Sequence, residues 1–174
     1  MAWDTTMRSE AGNRTDADLA QIVYSRFESG DTKLGIKFSL GGLYVREYIR
    51  LISKEALKNI RKINSTFTVP DEGVPYGTLS LRKMGITYEH VIPVESLYKH
   101  LAQLYRDGKL TERYIAKLIP MLNIAVISTK ENKMLREAGY NETMPKDWSW
   151  SRRDPLMRYR AAGLDDSIWE SLEI

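Results

Sequence analysis

Hydrophobic and polar residues follow two periods along this chain, one typical of helices and one typical of strands. Apolar positions three or four residues apart predict helices over 15–30, 43–63, 95–107 and 111–119. Alternation with a period of two predicts strands at 34–40 (LGIKFSL), 78–84 (TLSLRKM) and 86–92 (ITYEHVI). The β-branched run NIAVIS, 123–128, predicts a buried strand, and a helix over TKENKMLREAG follows, capped by Ser128 or Thr129 and ended by Gly139.

These elements predict an α+β protein with one largely helical domain. The stretch TVPDEGVPYG holds two prolines and two glycines, which indicates a loop near residue 70. We therefore divide the chain into a flexible N-terminus (1–14), a helix-and-strand region (15–75), a core (76–140) and a basic, aromatic extension (141–174).

Composition excludes several classes of protein. The chain has 174 residues and is 43% hydrophobic, which favours one folded domain over a disordered chain. It has no cysteine, so we expect no disulfide and no structural zinc site. The sequence contains neither a long apolar segment nor a secretion signal, so we expect a cytoplasmic protein with no membrane partner.

Three polar residues in the core region suit phosphodiester hydrolysis. Glu89 and His90 end one predicted strand, and Asn132 lies on the helix after the next strand. A neutral imidazole can take a proton from water. A carboxylate oxygen and an amide oxygen suit Mg²⁺, with Mn²⁺ as the alternative ion.

The segments YEHVIP and LNIAVISTKENKML resemble the HNH branch of the His-Me finger (ββα-metal) endonucleases. An acidic residue and a histidine precede two apolar residues and a proline, and Asn123 precedes Asn132 by the nine residues that the motif requires. The resemblance covers roughly residues 79–139. It departs from the common pattern in using Glu before the histidine, in having Asn at the third position, and in the long connection between the strands.

The resemblance implies a ββα-metal finger embedded in the helical domain and a role for each motif residue. His90 would activate water, Glu89 and Asn132 would bind the metal, and Asn123 would orient the His90 ring. The implied activity is metal-dependent hydrolysis of double-stranded DNA that leaves 5′-phosphate and 3′-hydroxyl ends. Because the chain extends well beyond the finger on both sides, we expect a sequence-selective enzyme of restriction type, and a homodimer if both strands are cut.

Basic residues outside the motif are candidates for DNA contact, although a solvated surface explains them equally well. Residues 33–62 carry eight Lys or Arg against Glu47 and Glu55. The aromatics of the tail WSWSRRDPLMRYR predict either docking on the core or a DNA-gripping segment, and His100 is predicted to be an ordinary helix residue. The DNA-contact candidates are Arg46, Arg50, Lys54, Lys58, Arg61, Lys133, Arg136, Arg152, Arg153 and Arg158.

Two other classes of function stay open at this point. A nuclease toxin or RNase would act on structured RNA in preference to duplex DNA. A non-catalytic nucleic-acid-binding module would bind DNA in a salt-sensitive manner that does not depend on metal.

Overall fold

The computed structural model describes residues 15–43, 86–119, 122, 124–151, 154 and 156–164. Within these ranges the chain forms a mixed structure in which helices predominate over strands. The elements in chain order are α1 (Asp16–Glu28), α2 (Lys33–Leu43), β1 (Ile86–His90), α3 (Val94–Arg106), α4 (Glu112–Leu118), β2 (Ile124–Ser128), α5 (Thr129–Glu137) and α6 (Met157–Ala161). No helix in the described ranges is both long enough and apolar enough to cross a lipid bilayer.

Helices α1 to α4 enclose the larger of the two hydrophobic cores that the described residues form. Helix α1 packs against α2 and α4, and α2 packs against α3. Aliphatic side chains at helical spacing fill this core, and each buried one contributes about 1.5–3 kcal/mol. Its fully buried members include Val23, Leu40, Leu97, Leu101 and Ile115.

Strands β1 and β2 pair antiparallel, with Ile86 opposite Ser128 and His90 opposite Ile124. Helix α5 begins at the residue after β2 and contacts both strands. This confirms the strands predicted on either side of the long connection, the two helices within it, and the helix that follows. A smaller core lies beside the sheet and consists of Val91, Ile127, Leu135, Tyr159 and Leu164.

The strand predicted at 34–40 is wrong, because this segment belongs to α2. The alternating apolar residues at 34, 36, 38 and 40 fit a strand, but Ile36, Leu40 and Leu43 also follow the helical spacing i, i+4, i+7. These three side chains are buried, whereas Leu34 is 76% exposed and Phe38 50% exposed. The larger core thus uses the helical subset of the pattern and leaves the other apolar positions near solvent.

Several predicted features lie outside the described residues. They are the N-terminus at 1–14, the helix at 43–63 beyond Leu43, the loop near residue 70, the strand at 78–84 and the chain after residue 164. The candidate site residues in this group are Arg46, Arg50, Lys54, Lys58, Arg61, Asn123, Arg152 and Arg153.

Candidate functional site

Glu89 and His90 are the last two residues of β1. Val91 follows them and is buried in the smaller core together with Leu135 of α5. Asn132 lies three residues before Leu135, so the two share a face of α5. The structure therefore brings Asn132 to the helix face that packs against the end of β1.

A buried arginine from α6 holds the end of β1. Arg158 has no solvent-exposed surface, and all three nitrogens of its guanidinium donate hydrogen bonds. The acceptors of these bonds are the Val91 carbonyl oxygen (2.9 Å from Nε), the Tyr140 carbonyl oxygen (2.7 Å from Nη1), Glu89 Oε1 (2.6 Å from Nη2), the Tyr159 hydroxyl (3.2 Å from Nη2) and the His90 carbonyl oxygen, also from Nη2.

The expectation that Arg158 contacts DNA needs correction. A fully buried guanidinium whose three nitrogens all donate to protein oxygens cannot reach a phosphate group at the surface. The neighbouring Arg160 shows the contrast, because it is 40% exposed and pairs with the exposed Asp154. Nothing in the local sequence MRYR separates the two arginines, so their different roles follow from tertiary packing.

The environment of β1 shifts the pKa values of the candidate base His90 and the candidate metal ligand Glu89. Burial, and after it the positive charge of Arg158, together lower the pKa of His90 to about 4. Burial also raises the pKa of the Glu89 carboxyl group, while the charge and hydrogen bond of Arg158 oppose that rise. His90 is thus neutral at pH 7 and can accept a proton.

Asn132 carries an unusual polar atom. Its Oδ1 is buried and accepts no hydrogen bond from the part of the chain that the structure describes. A buried carbonyl oxygen without a donor costs about 1–3 kcal/mol. A donor or a cation that reached this atom would therefore relieve that cost.

The remaining candidates on α5 are at the surface. Lys133 and Arg136 are exposed, and Lys133 Nζ lies 3.5 Å from Glu137 Oε1. An exposed pair of this kind contributes little to stability, so Lys133 can exchange its partner for a phosphate at small cost. Both residues remain candidates for DNA contact.

His100, the second histidine of the chain, has a structural environment. Its Nε2 lies 2.7 Å from the Tyr114 hydroxyl, and its ring stacks on Trp150 with a centroid distance of 4.3 Å. Trp148 and Trp150 both pack against the larger core. This confirms the docking interpretation for the tail's tryptophans, and it shows that the His100 ring contacts residues that pack against the larger core.

The residues at the end of β1 fit a hard divalent cation with few protein ligands. Among the described residues, no three His, Cys, Asp or Glu side chains cluster closely enough to hold a metal ion. Glu89 Oε1 accepts from Arg158, and Asn132 Oδ1 has no hydrogen-bond partner in the described part of the chain. Glu89 Oε2 and Asn132 Oδ1 are therefore the two oxygens that would hold the ion. Mg²⁺ is commonly bound by one or two protein oxygens, with water and phosphate oxygens completing its shell.

Comparison of the chain with protein-family models, curated proteins and solved structures found no match.

Proposed function

We propose that this protein is a metal-dependent endonuclease that hydrolyses phosphodiester bonds in double-stranded DNA. The observation that carries the proposal is the combination at the end of β1. A neutral histidine follows a carboxylate that has one oxygen engaged, and the strand that carries both contacts α5, where Asn132 Oδ1 has no hydrogen-bond partner among the described residues. The order of strand, antiparallel strand and helix supports a ββα-metal finger.

In this mechanism His90 acts as the general base. Its neutral imidazole accepts a proton from the attacking water. Asn123 would orient that ring from the start of β2, although its side chain lies outside the described residues.

Glu89 Oε2 and Asn132 Oδ1 would hold the divalent cation. When bound, Mg²⁺ or Mn²⁺ would stabilise negative charge on the phosphate and on the departing 3′ oxygen. The two residues come from β1 and α5, so the geometry of their oxygens depends on the packing of α5 against the sheet. Lys133 and Arg136 are on the same helix and would contact the DNA backbone.

One observation favours the non-catalytic alternative. The Arg158 guanidinium already neutralises Glu89 at 2.6 Å, as a structural ion pair would. A nucleic-acid-binding module of this kind would bind DNA equally well in EDTA and would leave the substrate intact.

Cleavage of supercoiled plasmid in Mg²⁺ tests the proposal. We expect discrete products with the wild type and none in EDTA or with His90→Ala, because either change removes an essential part of the site. His100→Phe is the matched control, since it keeps an aromatic ring against Trp150 and should cut like the wild type.

The form of the product separates the remaining possibilities. Discrete linear fragments support a sequence-selective enzyme that cuts both strands as a two-fold dimer. Nicked circles support cutting of one strand, and a smear supports a non-specific nuclease. Failure to cut any DNA in Mg²⁺ or Mn²⁺ contradicts the proposal, and cleavage of structured RNA by that same protein would identify an RNase.

A further inference from the structure

We propose that Arg158 is a positioning residue that fixes the Glu89 carboxylate and the end of β1 for binding of a divalent cation. This inference rests on the proposed function in one respect, the assignment of Glu89 as a metal ligand.

Three consecutive residues at the end of β1 are bound by one planar group. Arg158 donates to the Glu89 carboxylate and to the carbonyl oxygens of His90 and Val91. The rigid fork of a guanidinium holds several acceptors in fixed directions, which the single ammonium of a lysine cannot do. The backbone and the carboxylate at this position are therefore fixed together.

The same guanidinium connects three parts of the structure. It belongs to α6, binds β1, and donates to the carbonyl oxygen of Tyr140, just after α5. Tyr140 packs against the smaller core, which also includes Leu135 of α5. Arg158 thus sets Glu89 of β1 in relation to α5, the helix that carries Asn132.

The orientation of Glu89 is the property that matters for the cation. With Oε1 held at 2.6 Å by Nη2, rotation of the carboxylate is restricted and Oε2 has a fixed direction. Removing a partner that orients a metal ligand typically weakens metal binding or activity 10–100-fold. The positive charge of Arg158 acts in the opposite sense, because it repels the cation. Weaker cation binding after replacement of Arg158 therefore indicates that orientation is the larger effect, and tighter binding indicates that repulsion is.

The two histidines allow cation binding at the site to be measured without catalysis. The chain has two histidines; His90 adjoins Glu89, and His100 stacks on Trp150 against the larger core. Ring proton signals from these residues can be followed by NMR while Mn²⁺ is added. Mn²⁺ bound at Glu89 broadens the His90 signals first, and the His100 signals report whether the larger core is folded.

The test compares wild type, Arg158→Lys and Arg158→Met, with Arg160→Met as the matched control. Arg160 is on the same helix and forms an exposed ion pair. We expect the two Arg158 variants to need at least about 10-fold more Mn²⁺ than wild type to broaden His90. We expect Arg160→Met to behave like the wild type, and Arg158→Lys to be less impaired than Arg158→Met because its ammonium can still donate a hydrogen bond to Glu89.

Three results would overturn the inference. The first is an unchanged or tighter Mn²⁺ response in folded Arg158→Lys, which would show that the guanidinium does not orient a ligand. The second is loss of the folded His100 signals in both Arg158 variants, which would assign the residue to fold stability alone. The third is the absence of selective broadening of His90 in the wild type.

Plasmid cleavage by the same samples separates this inference from the proposed function. A wild type that binds Mn²⁺ near His90 in an Arg158-dependent way but cuts no nucleic acid would leave the inference standing and contradict the nuclease. If the wild type cuts DNA and the Arg158→Lys variant has a normal Mn²⁺ response, the nuclease proposal stands and the inference about Arg158 is contradicted.

Discussion

Asn132 shows how a single residue can lower stability and serve a function. Its buried Oδ1 has no donor among the described residues, so replacing the amide with an apolar group of similar size should remove an unfavourable term. We predict that in EDTA the free energy of unfolding of Asn132→Leu is about 1–2 kcal/mol larger than that of wild type. The variant should therefore unfold at a higher urea concentration. The same variant should lose the stabilisation that Mg²⁺ gives the wild type, because one of the two cation-binding oxygens is gone.

Asn141→Leu is the control for this substitution. Asn141 is exposed, so its replacement should change the free energy of unfolding by less than about 0.5 kcal/mol and should leave the Mg²⁺ response intact. A loss of stability in Asn132→Leu would show that Oδ1 has a hydrogen-bond donor in the folded protein.

Glu95 is the second residue whose environment should have a measurable effect on the stability of the protein. Its carboxylate is 9% exposed and pairs with Lys33 at 2.9 Å and with Lys37 at 2.8 Å, both from α2. Hydrogen bonds from Lys37 and then from Lys33 lower the pKa of Glu95 to about 2, against burial that would raise it. The pair of lysines therefore joins the start of α3 to α2 through one carboxylate.

The stability contributed by Glu95 should depend on pH in a predictable direction. Its pKa is about 4.5 in the unfolded chain and about 2 in the folded protein, so between these values the unfolded chain binds the proton more strongly. The contribution is complete above pH 4.5 and is lost as the pH falls towards 2. We predict that Glu95→Gln is less stable than wild type by about 1 kcal/mol at pH 7, and that urea denaturation shows this difference shrinking to near zero by pH 2.

Glu137→Gln provides the comparison for that pH series. Glu137 pairs with Lys133 on the surface of α5, where both side chains are largely exposed. Its substitution should change stability little at any pH. If the difference between wild type and Glu95→Gln stays constant from pH 7 to pH 2, the lysine contacts do not stabilise the ionised carboxylate.

At the scale of elements, two helices begin with the same capping arrangement but differ in what they carry. In α1 the Thr15 side chain accepts from the Asp18 amide and the Asp18 carboxylate accepts from the Thr15 amide; Ser128 and Glu131 do the same in α5. We predict that Thr15→Ala and Ser128→Ala each lower stability by about 1 kcal/mol in urea denaturation. Only Ser128→Ala should also reduce the plasmid-cutting rate, because α5 carries Asn132.

Equal loss of cutting in Thr15→Ala and Ser128→Ala would mean that general stability, and not the start of α5, controls activity. Measuring the rates well below both melting temperatures keeps the fraction of folded protein the same.

Elements that sequence pattern could predict are those whose period matches one structure alone. The apolar spacing of α3 and the cap and terminal glycine of α5 favour helix without ambiguity, and the structure has both. In α2 the residues Ile36 and Leu40 satisfy the alternation of a strand and the spacing of a helix at once. What decides the outcome is packing against α1 and α3, and those contacts are not visible in a window of seven residues.

At the scale of the whole molecule, the candidate site also combines residues that a local motif predicts with a residue whose role depends on tertiary packing. The pattern around Glu89 and His90 indicated where chemistry could occur, since the motif is local in sequence. Arg158 lies 69 residues after Glu89, and its burial depends on α6 folding back onto β1. No property of the surrounding residues distinguishes an arginine that will be buried from one that will face solvent, so sequence reasoning assigned it to DNA contact.

The C-terminal segment links the two cores of the molecule. Trp148 and Trp150 pack against the larger core, whereas Tyr159 and Leu164 belong to the smaller one. The chain between β1 and β2 also runs through α3 and α4 of the larger core. The chain therefore joins the two cores at two places.

We predict from this arrangement that the protein unfolds in one cooperative transition. Val91, next to His90, belongs to the smaller core, and His100 stacks on Trp150 against the larger one, so the two histidine ring signals report on separate parts of the fold. Both folded signals should disappear at the same urea concentration, because the shared C-terminal segment makes partial unfolding costly. Trp150→Ala removes one of the links and is the informative variant. If the smaller core of this variant still unfolds at the same urea concentration as the larger core, the coupling depends on Arg158 and on the connection between β1 and β2. If the His90 and His100 signals are lost at different urea concentrations, Trp150 is the residue that couples the two cores.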